Sequence, residues 1–343
     1  VRSRLPVDPA LILVVACLAA GEIALRASRD ARREARALDG YYPPPHVFDR
    51  EVGYRYRPRH RGRFVRADFD TIMVTNNHGF RGPDFERAKP AGRYRVALLG
   101  DSLLAANQVQ IEQTWAYLLE RRLRAVAGRR VEVLNFGVDG YRCWNEGRLL
   151  VESVLGYGPD AVVLWADEAV LRNPFELYRT TSGDTILASY DPDLLLATAS
   201  REAAQALAPG TLLLRHSRLS RWFVRRLGKN PVDSANFRWV AGGSTRRHRL
   251  ESLIAGMADA CRGRGAGFGL FYRNRRPSPD RDPCVPLGIP VASDDALFPT
   301  YRGLTFARDA HLDVAGNRRY ADSSAALFQD LLERIEASRR KHP

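Results

Sequence analysis

The sequence predicts an α/β protein built on a parallel sheet with helices on both faces. Short apolar runs at 95–99, 131–136, 161–165, 266–272 and 289–292 alternate with segments whose apolar residues recur at helical spacing. Strands that alternate with helices pair in parallel, because each helical crossover returns the chain to the same end of the sheet. The run Val96-Ala97-Leu98-Leu99 then stops at Gly100-Asp101-Ser102. That places a serine at the carboxyl edge of the sheet, where open α/β sheets carry their chemistry.

From the N-terminus, Pro9–Leu25 is apolar apart from Glu22 and follows Arg2 and Arg4. Its length sits at the lower limit of about 17 residues for crossing a bilayer, so 1–26 is expected to be a signal-anchor or signal segment. Two other readings stay open: a core helix, and a lipoprotein cleavage box at Val14-Val15-Ala16-Cys17. Arg26, Arg29, Arg32, Arg33 and Arg36 follow the segment and by the positive-inside rule favour a cytoplasmic body. The motifs described below favour an exported one, and a membrane-anchored domain in the periplasm or outside the cell is the expectation. Residues 27–45, ending in Tyr41-Tyr42-Pro43-Pro44-Pro45, read as a linker, and 27–90 as linker plus N-terminal extension. Within it, Asn76-Asn77-His78-Gly79-Phe80-Arg81-Gly82 carries turn chemistry.

The main domain is expected over 91–343. Trp115, Leu118, Leu119, Leu123 and Val126 mark one face of a helix that starts at Thr114 and stops at Gly128. A second helix is expected over 144–155, and Gly158-Pro159-Asp160 introduces the third strand. A long insertion, about 174–243, then breaks the rhythm. It is expected to be helical, with Leu219, Trp222, Phe223 and Leu227 on one face and Arg218, Arg221 and Arg225 off it. Packing on the domain, lying on a membrane and covering the cleft are all open to such a helix. Leu250, Leu253, Ile254, Met257 and Cys261 line the next helix, and the last is expected over 314–335.

The net charge is +14, and all but three of the 53 basic residues are arginine, spread along the whole length. No aromatic or helix-turn-helix signature accompanies that charge, so nucleic acid is not the expected partner and anionic envelope surfaces are. Cys17, Cys143, Cys261 and Cys284 lack metal-ligand spacing, and no metal or cofactor is implied. A single Cys143–Cys284 bridge stays open.

Chemistry concentrates in two places. Ser102 needs a base to remove its proton, and Asp309-Ala310-His311-Leu312-Asp313 supplies an imidazole with a carboxylate beside it. Asp101 reads as a brace of the turn. Ser102 alone also fits a helix cap, and His311 alone a loop histidine. The remaining histidines read as solvated, with His78 also placed to line the cleft through its glycine turn.

Together these blocks resemble the SGNH/GDSL hydrolase superfamily, in its bacterial, membrane-anchored branch. The match runs through Leu98-Leu99-Gly100-Asp101-Ser102, Leu134-Asn135-Phe136-Gly137-Val138-Asp139-Gly140-Tyr141 and Asp309-Ala310-His311. It covers about 50–173 and 246–335 and leaves the insertion unmatched. The resemblance implies a three-layer α/β/α, flavodoxin-like parallel sheet. It also implies Ser102 as nucleophile, His311 as base and Asp309 as the group holding the imidazole, with Asp313 and Asp295 as fallback carboxylates. Backbone N–H groups of Ser102 and Gly137 are the implied oxyanion donors.

The chain departs from the family where an asparagine normally supplies the third donor. Asp167 or Glu168 stands there, and an ionised carboxylate accepts hydrogen bonds only. A protonated Glu168, a substitute in Asn107 or Asn173, and a weakened site are the three outcomes. The implied reaction is hydrolysis of an acyl or O-acetyl ester, or acyl transfer, through an acyl-Ser102 intermediate, with an envelope glycan or lipid as substrate. A non-enzymatic or acyl-transferring protein of envelope assembly is the competing expectation.

Overall fold

A computed structural model describes residues 17–20, 23, 40–43, 45–49, 51–126, 130–166, 177–180, 185–187, 237–239, 244–273, 282–298, 301 and 303–341. Most of the apolar segment 9–25 lies outside these residues, as do the arginine-rich run after it, Asp167, Glu168, Asn173 and the expected helix around 219–227. Among the described residues, no helix is long and apolar enough to cross a membrane.

The chain first builds two small antiparallel units. Strand β1 (Gly40–Tyr42) pairs with β4 (Arg61–Arg66), which pairs with β5 (Phe69–Val74), while β2 (His46–Asp49) and β3 (Gly53–Tyr56) form a hairpin. Residues 40–42 belong to the stretch that reads as linker, and the structure corrects that reading. Tyr41 stacks on Phe64 with ring centroids 3.9 Å apart, so an aromatic beside a proline run is an anchor here. Val52, Tyr54, Tyr56, Phe64, Met73, Phe80 and Phe85 are buried in one core cluster with Leu99, Phe136 and Leu149 of the main domain. The extension is therefore part of the body.

The main sheet contains β6 (Arg93–Gly100), β7 (Arg130–Gly137), β8 (Ala161–Ala166), β12 (Gly267–Tyr272) and β13 (Val291–Ser293). They lie in the order β13-β12-β8-β6-β7, every pair parallel. Numbered within this sheet, the order is the doubly wound 2-1-3-4-5 arrangement, with its switch point between β6 and β8. Two-residue periodicity divides each strand between two cores. Ala97, Leu99, Val162 and Leu164 face one, and Val96, Leu98, Val163 and Trp165 the other.

Helices α3 (Cys143–Glu152) and α4 (Ser244–Arg262) cover the first face through Leu149, Leu150, Ile254 and Met257. Helices α2 (Trp115–Val126) and α5 (Val314–Lys341) cover the second through Leu119, Leu123, Phe328 and Leu331. Each fully buried leucine of this kind contributes about 1.5–3 kcal/mol. Thr114 caps α2, its hydroxyl oxygen accepting from the Tyr117 N–H. Helix α5 outruns its expected end at 335. Arg334–Asp330 and Arg340–Glu336 pairs one turn apart support its polar tail, and Arg339, Arg340 and Lys341 complement the helix dipole.

Within the insertion, the residues on which its helical expectation rests lie outside the described ones. Its described residues are strands: β9 (Leu177–Thr180), β10 (Thr185–Leu187) and β11 (Phe237–Trp239), in the antiparallel order β10-β9-β11. Cys143, Cys261 and Cys284 are buried and form no disulfide, so no Cys143–Cys284 bridge is present. Burial pushes the Cys143 thiol well above its ordinary range.

Candidate active site

Strand β6 ends at Gly100, and Asp101 turns the chain into α1 (Ser102–Ala105). The Asp101 carboxylate accepts the Leu103 N–H at 2.9 Å, so this residue is the helix cap and Ser102 is its first residue. Asp101 also meets a group that sequence reasoning missed. Arg273, one residue past β12, is buried with its Nη1 3.3 Å from Asp101 Oδ1 and its guanidinium 4.9 Å from the Trp165 ring centroid. The signal available was a charged residue directly after a buried strand, at the same sheet edge as Ser102.

The loop between β13 and α5 delivers the partner groups. His311 Nε2 lies 2.8 Å from Ser102 Oγ, across a sequence separation of 209. On its other side His311 Nδ1 makes a short hydrogen bond to Asp309 Oδ1, which also accepts the His311 backbone N–H at 2.9 Å. A carboxylate on Nδ1 selects the tautomer that carries its proton there, leaving Nε2 to accept from the serine hydroxyl. Partial burial pulls the Asp309 pKa up. The His311 ring, its backbone N–H and Arg66 more than offset that, so the carboxyl stays below its ordinary range.

Two contacts with the extension hold this loop. Phe306 packs on Phe69 at 5.2 Å, and the Arg308 N–H donates to the Asp68 carboxylate. The fallback carboxylates have other work. Asp313 accepts the Gly316 N–H at 2.6 Å at the start of α5, and Asp295 accepts the Ala296 N–H at 3.0 Å.

The structure corrects two of the expected oxyanion donors, Gly137 and Asn107, and leaves Ser102 in place. The Gly137 N–H already donates to Asn135 Oδ1 at 2.9 Å, and the Asn135 amide in turn donates to Leu104 O. Gly137 serves packing: a Cβ there would stand 2.5 Å from the Ala105 nitrogen. The second glycine of the block differs. Gly140 sits in a turn at φ +71°, and its N–H, like that of Ser102, donates to no acceptor among the described residues. Its loop runs beside the serine turn, since the Val138 N–H donates to Gly100 O.

Asn107 is the second correction. Its buried amide nitrogen contacts Tyr41 Oη at 2.9 Å, Tyr56 Oη at 2.7 Å and Asp139 Oδ1 at 2.8 Å. With three acceptors around two hydrogens, nothing is left for a substrate. Burial, and then the Asp139 carboxylate, push the Tyr41 and Tyr56 hydroxyls well above their ordinary range and keep them neutral. Glu168 and Asn173 lie outside the described residues. His78 braces its own turn, Nε2 lying 3.0 Å from Phe85 O and the ring packing on Phe85 and Tyr157. Among the described residues, no three His, Cys, Asp or Glu side chains converge as a metal site requires.

No protein-family model matches the chain, and no curated protein matches it. Its structure is similar to several solved structures. One is TesA, at 17% identity and TM-score 0.37, over 69% of this chain and 99% of that one. A second is the psychrotrophic esterase EstA from Pseudoalteromonas sp., at 12% identity and TM-score 0.39, over 70% of this chain and 99% of that one. A third is AlinE4, an SGNH-hydrolase family esterase, at 12% identity and TM-score 0.33, over 71% and 99%. These likenesses are remote, and the functional reading stands on the geometry of the site.

Proposed function

We propose that the chain is a serine ester hydrolase of the SGNH/GDSL type. The observation that carries this reading is the 2.8 Å approach of His311 Nε2 to Ser102 Oγ, with Asp309 on the far side of the ring. In the proposed reaction Ser102 Oγ attacks the ester carbonyl while His311 takes its proton. The negative charge that develops on the carbonyl oxygen is met by the Ser102 and Gly140 N–H groups, which have no competing acceptor among the described residues. Collapse breaks the ester C–O bond, and the imidazolium returns its proton to the leaving alcohol. Water, activated by the same imidazole, then releases the acid and restores Ser102. Asp309 holds the ring throughout and stays ionised.

The proposed substrate is an acyl or O-acetyl ester on an envelope glycan or lipid. The arginine-rich charge and the apolar segment at 9–25 support it; the same segment supports membrane anchoring, and the hydrolase motifs support a domain outside the cytoplasm. The intact hydrogen-bonded relay favours an enzyme over a binding protein of envelope assembly.

Ser102→Ala is the test. Wild-type protein is expected to hydrolyse p-nitrophenyl acetate and to react with a fluorophosphonate, and the variant to do neither. Equal turnover by the two proteins, or none by the wild type, overturns the reading.

A further inference from the structure

Arg81 is buried, 1% exposed, and among the described residues its guanidinium donates to main-chain carbonyls. Nε donates to Ala105 O at 3.3 Å, Nη1 to Val74 O at 2.9 Å, and Nη2 to Ala106 O at 3.3 Å and Val109 O at 2.5 Å. Three of these carbonyls belong to the chain that leaves the Ser102 helix. That helix has four residues, too few to persist unaided, and its last carbonyls lack partners of their own kind. It ends on Ala106 at φ 49°, ψ 49°, the left-handed conformation that a Cβ disfavours and that glycine normally fills at a helix end. From there the Ala106 N–H reaches back to Ser102 O at 2.9 Å. The next residue, Asn107, holds Asp139, the neighbour of Gly140.

We propose that Arg81 is a positioning residue for ester hydrolysis, acting as a clamp that holds Ala106 left-handed and so fixes Ser102 on one side and the Asn107–Asp139–Gly140 chain on the other. The inference rests on the hydrolase reading and assigns a role to the Asn76–Gly82 turn motif, which that reading leaves unused. The guanidinium does what a glycine does elsewhere: it makes the left-handed exit stable, here through hydrogen bonds on both sides of the strained residue. Burial lowers the Arg81 pKa to about 10, with the Asp139 carboxylate among the groups that pull it back up, so the group stays cationic at neutral pH. Misplacing the serine by a fraction of an ångström is felt in the chemical step more than in substrate binding.

The test compares the full-length wild type with Arg81→Lys, Ala106→Gly and their combination. Active serines are counted by fluorophosphonate titration, so that kcat and KM for p-nitrophenyl acetate refer to folded sites. Arg81→Lys is expected to lower kcat by about 10²-fold with little change in KM. Adding Ala106→Gly is expected to recover about tenfold, because glycine takes the left-handed conformation without the clamp. An Arg81→Lys variant with fewer titratable sites but unchanged kcat per site overturns the proposal and leaves the hydrolase reading standing. A wild type without Ser102-dependent turnover overturns both. Should Arg81→Lys fail to fold, Ala106→Val serves instead, since a β-branched side chain resists the left-handed region. A fall in its kcat per site supports the clamp, and an unchanged value overturns it.

Discussion

The serine and the histidine reach the same point from two differently supported segments. The turn bearing Ser102 is held inside the main domain. Its strand is buried on both faces, Asp101 and Arg273 tie its entry, and Gly137 admits α1 against β7. The loop bearing Asp309 and His311 is half-buried and leans on another part of the chain, through Phe306 on Phe69 and the Arg308 N–H on Asp68. One half of the site is positioned by the core of the sheet, the other by the extension that precedes it. Position in the core is set by local pattern. Position against the extension depends on pairings about 240 residues apart in the chain, which no local pattern records.

The difference can be probed from its strongest point downward. Asp309→Asn removes the group that selects the His311 tautomer, and kcat is expected to fall by about 10⁴-fold, read by steady-state assay at constant folded fraction. The same variant tests the electrostatics. The folded pKa of Asp309 is lowered, so its contribution to stability is complete above the ordinary carboxylate range and is lost as pH falls through the folded value. The difference in melting temperature between wild type and Asp309→Asn is therefore expected to shrink as pH falls below about 5.

Gly137→Ala attacks the core-held half. Its Cβ would collide with the Ala105 backbone nitrogen at 2.5 Å, and α1 must move. Overpacking of this kind costs about 1–3 kcal/mol by chemical denaturation, and a displaced Ser102 is expected to lose about 10²-fold in kcat as well. Phe69→Ala attacks the half held by the extension, by loosening Phe306. The expected result is the smallest of the three, about tenfold in kcat, with a melting temperature close to that of wild type. Should Phe69→Ala cost as much as Gly137→Ala, the two halves are equally rigid and the comparison fails.

Much of this arrangement was legible in the amino acids. Continuous apolar runs ending in glycine and serine announce buried parallel strands, and Asp-x-His before a final helix announces the base. What stayed hidden has a physical reason in each case. Gly137 and Gly140 lie in one block, and only the path of the backbone shows that Asn135 occupies the first N–H and leaves the second bare. Asn107 looks like a spare donor until Tyr41 from the expected linker and Tyr56 from the expected extension close around it. Arg81 and Arg273 are two arginines in a chain with 53 basic residues. Against that background, a buried cation carries no mark of its own in the sequence.

The most direct measurement is mass spectrometry of the fluorophosphonate adduct on full-length protein, with His311→Ala alongside. A single phosphonylated peptide containing Ser102 is expected in wild type, and its loss in the variant. An adduct on another residue, or undiminished labelling without His311, would contradict the hydrolase reading.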